Sequence, residues 1–272
     1  MNTRQIRQAI QAGQRVLGTM IVSPSPHWPP HIAKTGCDCV FLDTEHIALD
    51  RVTLSWMCRT YGALNLAPIV RIPHPDPHAA RQAIDGGAVG IVAPYLEEVE
   101  EVQALRGAVK YRPLKGRKLA RVLSGEENLP AGLARYVREY NRDNLLLINI
   151  ESVPAMENLD RLLAVPDLDG ILIGPHDLSC NLDIPEQYTH ARFRKAMETI
   201  VGKTRKKGLI AGIHFMGCGP VSLALDWMRM GINLHIQHAD VYYVARGVGE
   251  DIRAIRKGLG QAGSRGRSKV II

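Results

Sequence analysis

The chain has 272 residues, of which 46% are hydrophobic, with a formal net charge of +7 and a pI near 9.3. No apolar run approaches the roughly 20 residues of a membrane-spanning helix, and the polar start of the chain lacks an apolar segment of signal-peptide length. We therefore expect a cytoplasmic protein. Five cysteines without a CxxC pair argue against a disulfide framework or a zinc site.

The positive charge could indicate an anionic partner, either nucleic acid or a small acidic molecule. The basic residues are scattered along the chain, without the interleaved aromatic residues that single-strand binding uses. A basic barrel that binds nucleic acid stays an alternative. We expect a small-molecule substrate and neither a nucleic acid nor a membrane as partner.

Eight short β-rich runs alternate with longer helical patterns along the chain. The runs are VLGTMIV (16–22), DCVFLD (38–43), APIVRI (67–72), VGIVAP (89–94), LLLINIE (145–151), GILIG (170–174), IAGIHF (210–215) and LHIQH (234–238). Such aliphatic strands need cover on both faces, and eight of them favour a (β/α)8 TIM barrel over a doubly wound sheet. We predict one barrel domain over 1–259 and a flexible basic tail over 260–272.

Helical patterns fill the intervals between these runs. They include DPHAARQAIDGG, VEEVQALRGAVK, VPAMENLDRLLAV and ARFRKAMETIVGKTRKKG. The segment 112–144, between the fourth and fifth strands, is long and polar for a connection. Because long excursions on the catalytic face are often functional, we expect this segment at that face.

Two acidic residues follow the ends of the fifth and sixth strands. Glu151 closes LLLINIE, and Asp177 lies in GPHDLS just beyond GILIG. Each acid alone is equally well read as a helix cap or turn residue. Since a barrel brings the carboxyl ends of all strands to one face, the two can instead converge on one hard divalent cation.

The second and third strands end in further polar residues. FLDTEH places Asp43, Glu45 and His46 at the barrel mouth, and Arg71 closes the third strand. An imidazole can move a proton near neutral pH, and a guanidinium is a fixed donor for a carboxylate. Polar residues at strand ends favour a catalytic site.

These motifs carry a resemblance to a known family. FLDTEH, VRIP, KYRPLKGR, INIES and IGPHDLS, in that order, resemble the metal-dependent class II pyruvate aldolases of the HpcH/HpaI type. The resemblance runs from about Val16 to about Leu259. It implies a (β/α)8 barrel whose last helix is exchanged between subunits, in a homo-oligomer built from dimers, commonly a hexamer.

The resemblance also implies roles for individual residues. Glu151 and Asp177 would be the ligands of Mg²⁺, Mn²⁺ or Co²⁺, His46 the catalytic acid/base assisted by Asp43, and Arg71 the group that holds the 2-oxo acid. The expected substrate contacts are Arg71, Asn149, Arg117, Gly174, Pro175 and His176. Asn149 stands where many relatives have glutamine.

The reaction implied is the cleavage or formation of 4-hydroxy-2-oxo acids through a pyruvate enolate, whose charge a metal stabilises as a Lewis acid. A lysine Schiff base is disfavoured because none of the eight strands ends in lysine. A related lyase or condensing enzyme for another carboxylate, such as a citryl or malyl thioester, remains the alternative. The aldehyde partner and the preferred direction stay open.

Overall fold

Eight parallel strands follow one another around a closed barrel, and β1 pairs with β8 to complete it. The computed structural model describes residues 1–261. The strands are β1 Val16–Met20, β2 Cys39–Asp43, β3 Ala67–Arg71, β4 Gly90–Ala93, β5 Leu145–Ile150, β6 Gly170–Ile173, β7 Ile210–Phe215 and β8 Leu234–Ala239. The predicted barrel is confirmed, and every predicted strand agrees with an observed one to within two residues at either end.

Thirteen helices lie before, between and after these strands within residues 1–261. They are α1 Thr3–Gln11, α2 Trp28–Ile32, α3 Arg51–Ala63, α4 Pro77–Gly86, α5 Val99–Lys110, α6 Gly116–Ser124, α7 Ala131–Asn141, α8 Val153–Glu157, α9 Leu159–Leu162, α10 Pro175–Asn181, α11 Ala191–Lys206, α12 Val221–Met230 and α13 Asp240–Gly258. The predicted helical patterns correspond to α4, α5, α11 and the pair α8 and α9.

The starts and ends of these helices follow from their sequences. The Asp76 carboxylate accepts hydrogen bonds from His78 N and Ala79 N before Pro77 opens α4, and Gly87, with φ of 114°, ends that helix. Ser152 caps α8 by accepting from Ala155 N at 3.2 Å. Because Ser152 has this role, the neighbouring Glu151 is not needed as a cap.

Apolar side chains form two layers, one inside the barrel and one between the barrel and its helices. The inner layer includes Phe41, Ile69 and Leu147. It is closed at the amino-terminal end of the strands by α1, whose Ile6 is fully buried against it. A plug at that end leaves the carboxyl ends of the strands as the open mouth.

The seam between the first and last strands is reinforced by Asp240, the first residue of α13. Its Oδ1 accepts a hydrogen bond from Val22 N, and its Oδ2 accepts one from Ser23 N, both at 3.0 Å. These bonds tie the loop after β1 to the end of β8. Asp240 is 3% exposed, so water competes little for them.

The prediction that residues 112–144 lie at the catalytic face is wrong. The segment follows α5, which runs from the mouth back to the amino-terminal end of the barrel, and it precedes β5, which starts there. It forms α6 and α7, and α6 packs against the last turns of α5 where Leu119 and Leu123 surround Gly107. A polar connection of this length can lie at either end of a barrel, and the order of elements decides which.

No helix within residues 1–261 is both long enough and apolar enough to cross a membrane. The predicted flexible tail is 260–272, and its residues 262–272 lie outside the described part of the chain. The domain boundary at 259 and the exchange of the last helix stay predictions.

Candidate active site

Arg71 is held at the mouth by two carboxylates. Asp43 and Arg71 are directly opposite each other in the register of β2 and β3. Arg71 Nε donates to Asp43 Oδ1 at 2.9 Å and its Nη2 to Asp43 Oδ2 at 2.6 Å, while its Nη1 lies 3.0 Å from Glu45 Oε2. A paired guanidinium in this fork geometry has one fixed orientation.

Burial and charge oppose each other in this cluster. Burial disfavours the charged forms of Asp43 and Arg71, but the hydrogen bonds and attraction between them outweigh burial. The result is a lowered pKa for Asp43 and a raised pKa for Arg71. Both groups are therefore ionised across the physiological range, and Arg71 is a permanent cation beside the mouth.

His46 lies at the rim of the same cluster. Its side chain is 53% exposed, and its Nε2 is 3.7 Å from Glu45 Oε1. Both carboxylate oxygens of Asp43 are bonded to Arg71, and the assistance of His46 by Asp43 that the resemblance implies stays a prediction. Glu45 is instead the acid nearest the imidazole, because Asp43 is opposite Arg71 in the strand register.

Glu151 directly follows β5, and its side chain is buried. Its Oε1 accepts a hydrogen bond from Tyr95 N at 3.0 Å, and its Oε2 accepts one from Asn149 Nδ2 at 2.8 Å. Burial raises the pKa of Glu151 to about 7, and the negative charges of Asp177 and Glu45 add to this rise against the Tyr95 bond. This acid is the least favourably placed anion of the site.

Asn149 was predicted to contact the substrate. Its amide nitrogen is bonded to Glu151, while its Oδ1 is buried without a hydrogen-bond partner. The bond to Glu151 makes Asn149 a support for that carboxylate. Contact with substrate through Oδ1 remains a prediction.

Asp177 lies in the first turn of α10, where the positive end of the helix favours an acid. A Cβ on Gly174 would lie 2.5 Å from Glu151 Oε2 and 3.6 Å from Asp177 Oδ2. The two predicted metal ligands therefore flank one point, and only glycine leaves that point free. Pro175 is buried beneath it and His176 is exposed beside it.

The charges of the mouth fit a cation. Arg71 interacts with the carboxylates of Asp43, Glu45 and Glu151, and Glu151 also interacts with Glu45 and Asp177. A divalent ion would offset the burial, and the repulsion from Asp177 and Glu45, that together raise the pKa of Glu151. Within residues 1–261 no three His, Cys, Asp or Glu side chains form a metal cluster, so two carboxylates would be its protein ligands. Oxygen-liganded ions such as Mg²⁺ accept this, because water and substrate complete their coordination.

Tyr95 contacts both Glu151 and Glu45, and it was not predicted from the sequence. Its backbone bonds to Glu151, and hydrogen bonding to Glu45 raises the pKa of its phenol to about 12. Its φ of 54° puts the residue in the left-handed region, which turns its N–H toward Glu151. The sequence signal was weak, because Tyr95 follows β4 in an ordinary turn.

Arg117, a predicted substrate contact, is not brought to the other predicted residues. It is in the first turn of α6, which packs near the amino-terminal end of the barrel. Arg117 is not placed to serve the mouth of its own barrel, because α5 returns the chain to the opposite end before α6 begins. Contact of Arg117 with the distal region of the substrate, which the resemblance implies, stays a prediction.

Comparison with known proteins identifies the family of this chain. Residues 21–232 match the family model described as HpcH/HpaI aldolase/citrate lyase. The hydroxypyruvate/pyruvate aldolase of Roseovarius nubinhibens is 27% identical over 244 residues, covering 90% of this chain and 93% of that protein. The 2-keto-3-deoxy-L-rhamnonate aldolase of Klebsiella pneumoniae is 26% identical, with 81% and 82% covered.

Solved structures show the same fold. The HpcH/HpaI aldolase from Desulfitobacterium hafniense superposes with a TM-score of 0.78 at 23% identity, covering 92% of this chain and 96% of that one. The family match covers β2 to β7 and includes Asp43, Arg71, Glu151 and Asp177. The chain therefore belongs to the HpcH/HpaI aldolase/citrate lyase family and is a lyase of the metal-dependent aldolase class.

Proposed function

We propose that this aldolase cleaves or forms 4-hydroxy-2-oxo acids, with the enolate of a pyruvate-type 2-oxo acid as the species common to both directions. The main support is the pairing of Glu151 with Asp177 across Gly174, beside an Arg71 that Asp43 and Glu45 hold in place. This arrangement offers a cation site and a fixed anion-binding group at one mouth. Both are needed when a carbon–carbon bond next to a 2-oxo acid breaks.

Glu151 and Asp177 would hold Mg²⁺, Mn²⁺ or Co²⁺, since carboxylate oxygens suit these hard cations. The ion would supply Lewis-acid stabilisation for the negative charge that develops on the 2-oxo oxygen. Asn149 and the backbone of Tyr95 orient Glu151 for this role.

Arg71 binds the carboxylate or enolate of the 2-oxo acid. Three of its nitrogens contact Asp43 or Glu45, and a guanidinium has five N–H donors, so donors remain for the substrate. The backbone at Gly174 and His176, on either side of Pro175 at the start of α10, offers N–H groups to the same anion. Substrate anion and protein cation then lie side by side in a buried place.

His46 moves the proton of the 4-hydroxyl group. Its exposed ring at the rim can meet a hydroxyl that enters from solvent, and its Nε2 lies 3.7 Å from Glu45 Oε1. In the cleavage direction His46 accepts this proton at a ring nitrogen. In the synthetic direction it returns the proton to the new alkoxide.

Exchange of the C3 protons of pyruvate in D2O, followed by proton NMR, tests the proposal. We expect exchange that EDTA abolishes and that Mg²⁺, Mn²⁺ or Co²⁺ restores. The thioester alternative predicts cleavage of a citryl or malyl thioester without this exchange. Absence of exchange with all three metals would contradict the proposed function.

Two variants separate the roles of the residues. Glu151→Gln should lose Mn²⁺ binding measured by calorimetry, whereas His46→Ala should bind Mn²⁺ and lose aldol turnover by about 10²–10⁴-fold, the usual contribution of a general acid/base. If the Gln variant binds Mn²⁺ as tightly as the unmodified protein, the ligand assignment is wrong.

We further propose a homo-oligomer in which α13 packs on another subunit. Apolar side chains recur along this helix at Val244, Val248, Ile252, Ile255 and Leu259, and all five are 44–65% exposed. A spacing of three and four residues puts them on one face of a helix. A second copy of the chain is the occupant that the resemblance implies for this face.

A further inference from the structure

His214 is a residue of the barrel interior that the proposed reaction does not use. It lies on β7, where Ala211, Ile213 and Phe215 belong to the layer beneath the helices. Since side chains alternate along a strand, His214 faces the inside of the barrel. Its ring is 5.1 Å from that of Phe41, an inner residue, and the side chain is half-buried.

His214 lies at the level of the proposed metal ligands. Ile150, Ile173 and Ile213 are paired in register across β5, β6 and β7. The next residues on these three strands are Glu151, Gly174 and His214. The imidazole therefore occupies the wall of the mouth beside the residues assigned to the 2-oxo acid.

The ring of His214 has an unused hydrogen-bonding atom. Its Nε2 is buried and has no hydrogen-bond partner within the described residues. Buried polar atoms in folded proteins nearly always have partners, so an exception at a site mouth indicates a partner supplied by a ligand. Burial in the barrel, with the positive charge of Arg71, lowers the pKa of His214 to about 3, so the ring is neutral at physiological pH. A neutral imidazole suits a hydroxyl group, which can both donate and accept.

We propose that His214 is a specificity-determining residue that hydrogen-bonds a hydroxyl group on C3 of the 2-oxo acid. The substrate class that this selects is 3-hydroxy-2-oxo acids over unsubstituted pyruvate. The inference rests on the proposed function, because it places the 2-oxo acid beside Arg71 and Glu151. The hydroxyl group belongs to the 2-oxo acid and not to the acceptor aldehyde, since the aldehyde enters from the open side of the mouth, farther from the inner wall of the barrel.

A second buried histidine provides a control. His235 lies on the adjacent strand β8, and its ring packs 5.6 Å from that of Phe215 in the outer layer. It also has one buried nitrogen without a partner, Nδ1, while its Nε2 lies 2.5 Å from Gln237 Oε1. Like His214, His235 thus has a buried ring nitrogen without a partner, but it faces away from the mouth.

The experiment compares hydroxypyruvate with pyruvate as donors toward one aldehyde, in the unmodified protein and in His214→Leu, His214→Gln and His235→Leu. We expect His214→Leu to lower the ratio of kcat/KM for hydroxypyruvate to kcat/KM for pyruvate by about tenfold or more, as loss of a buried hydrogen bond to substrate does. His214→Gln should recover part of the ratio, and His235→Leu should leave it within about twofold. Calorimetric binding of the two donors should show the same change in the ratio of their affinities.

The outcomes distinguish this inference from the function on which it rests. If the protein carries out the aldol reaction and His214→Leu leaves both ratios unchanged, His214 is a packing residue and the inference is overturned. An equal change in His235→Leu would also overturn it. If neither donor reacts in the unmodified protein with any of the three metals, the proposed function fails, and the inference fails with it.

Discussion

The Glu151 carboxylate is held where its neutral form is favoured. Its side chain accepts hydrogen bonds from Tyr95 N and Asn149 Nδ2 but lies buried near Asp177 and Glu45. The folded protein therefore accepts an unfavourable charge at this position in the absence of a counter-ion. Sites that need a metal commonly show this conflict, because the ion resolves it.

This conflict predicts that Glu151→Gln stabilises the metal-free protein by an amount that depends on pH. The folded pKa of about 7 is above the ordinary value of 4.5, so the folded state binds more protons between these values and its stability falls as pH rises. The free energy of unfolding of Glu151→Gln, relative to the unmodified protein, should grow from pH 5 to pH 8, by on the order of 3 kcal/mol at most. Urea unfolding in EDTA measures it.

Two results would contradict this prediction. One is a difference between the two proteins that does not change with pH. The other is a stabilisation of Glu151→Gln by added Mn²⁺ equal to that of the unmodified protein, since binding to the folded state should stabilise only a protein with an intact site.

Gly174 gives a second prediction, because a side chain there would occupy the space between the proposed ligands. The Cβ of Gly174→Ala would lie 2.5 Å from Glu151 Oε2, so the carboxylate must move. We expect Mn²⁺ affinity, measured by calorimetry, to fall at least about tenfold, as for changes that displace a metal ligand.

Gly202→Ala is the matched control for this substitution. Gly202 lies within α11, and a Cβ there would meet no atom within 4 Å. Alanine favours a helix over glycine, so this variant should fold at least as stably and bind Mn²⁺ normally. Unchanged affinity in Gly174→Ala would show that the ion does not lie between Glu151 and Asp177.

The sequence predicted where individual side chains lie better than it predicted which side chains they contact. Asp43, Arg71 and Glu151 were placed at the mouth because each ends an apolar run. The partner of Arg71 could not be predicted, since it depends on the register of β2 and β3, which sets Asp43 opposite Arg71. The role of Tyr95 depends on a positive φ that its sequence context does not reveal.

The strands and helices were predictable where burial on both faces gives a clear pattern. β7 was predicted with its observed limits, and α5 likewise, because apolar periodicity changes sharply at their ends. The segment 112–144 was misplaced since its polarity was taken as a sign of function. Its position after α5 sets it at the amino-terminal end of the barrel.

The plug formed by α1 gives a prediction for an element that precedes the barrel. Ile6 is fully buried against the inner layer, so Ile6→Ala should lower the free energy of unfolding by about 2–5 kcal/mol, the usual loss for a buried isoleucine. Gln8→Ala, on the exposed side of the same helix, should change it by less than about 0.5 kcal/mol. Equal effects in urea unfolding would show that α1 does not close the barrel.

For the whole molecule, net charge is a poor guide to the partner. The chain is basic, with a formal charge of +7, yet its mouth gathers four carboxylates around Arg71. The arrangement of charges in space therefore favours a cation at the mouth, whereas composition alone suggested an anionic partner. Only the fold brings these acids together, because they lie at or just after the ends of three different strands, β2, β5 and β6.

The exposed apolar face of α13 gives a prediction about assembly. Val248→Lys should weaken association of subunits, measured by sedimentation velocity over a range of concentrations, because it puts a charge into a buried contact. Glu250→Lys, which places the same side chain on the opposite side of α13, should leave the assembly intact. Identical behaviour of the two variants would contradict a subunit contact through this face.

Pairing of β1 with β8 has a consequence for synthesis on the ribosome. β1, which starts at residue 16, can pair with β8 only after residue 234 has been synthesised. The nascent sheet therefore keeps two unpaired edges for most of translation. Asp240, which ties the loop after β1 to the start of α13, emerges later still. Closure of the barrel is thus a late event. A nascent chain stalled before residue 234 should be readily cleaved by protease, whereas a chain that extends beyond residue 240 should resist cleavage.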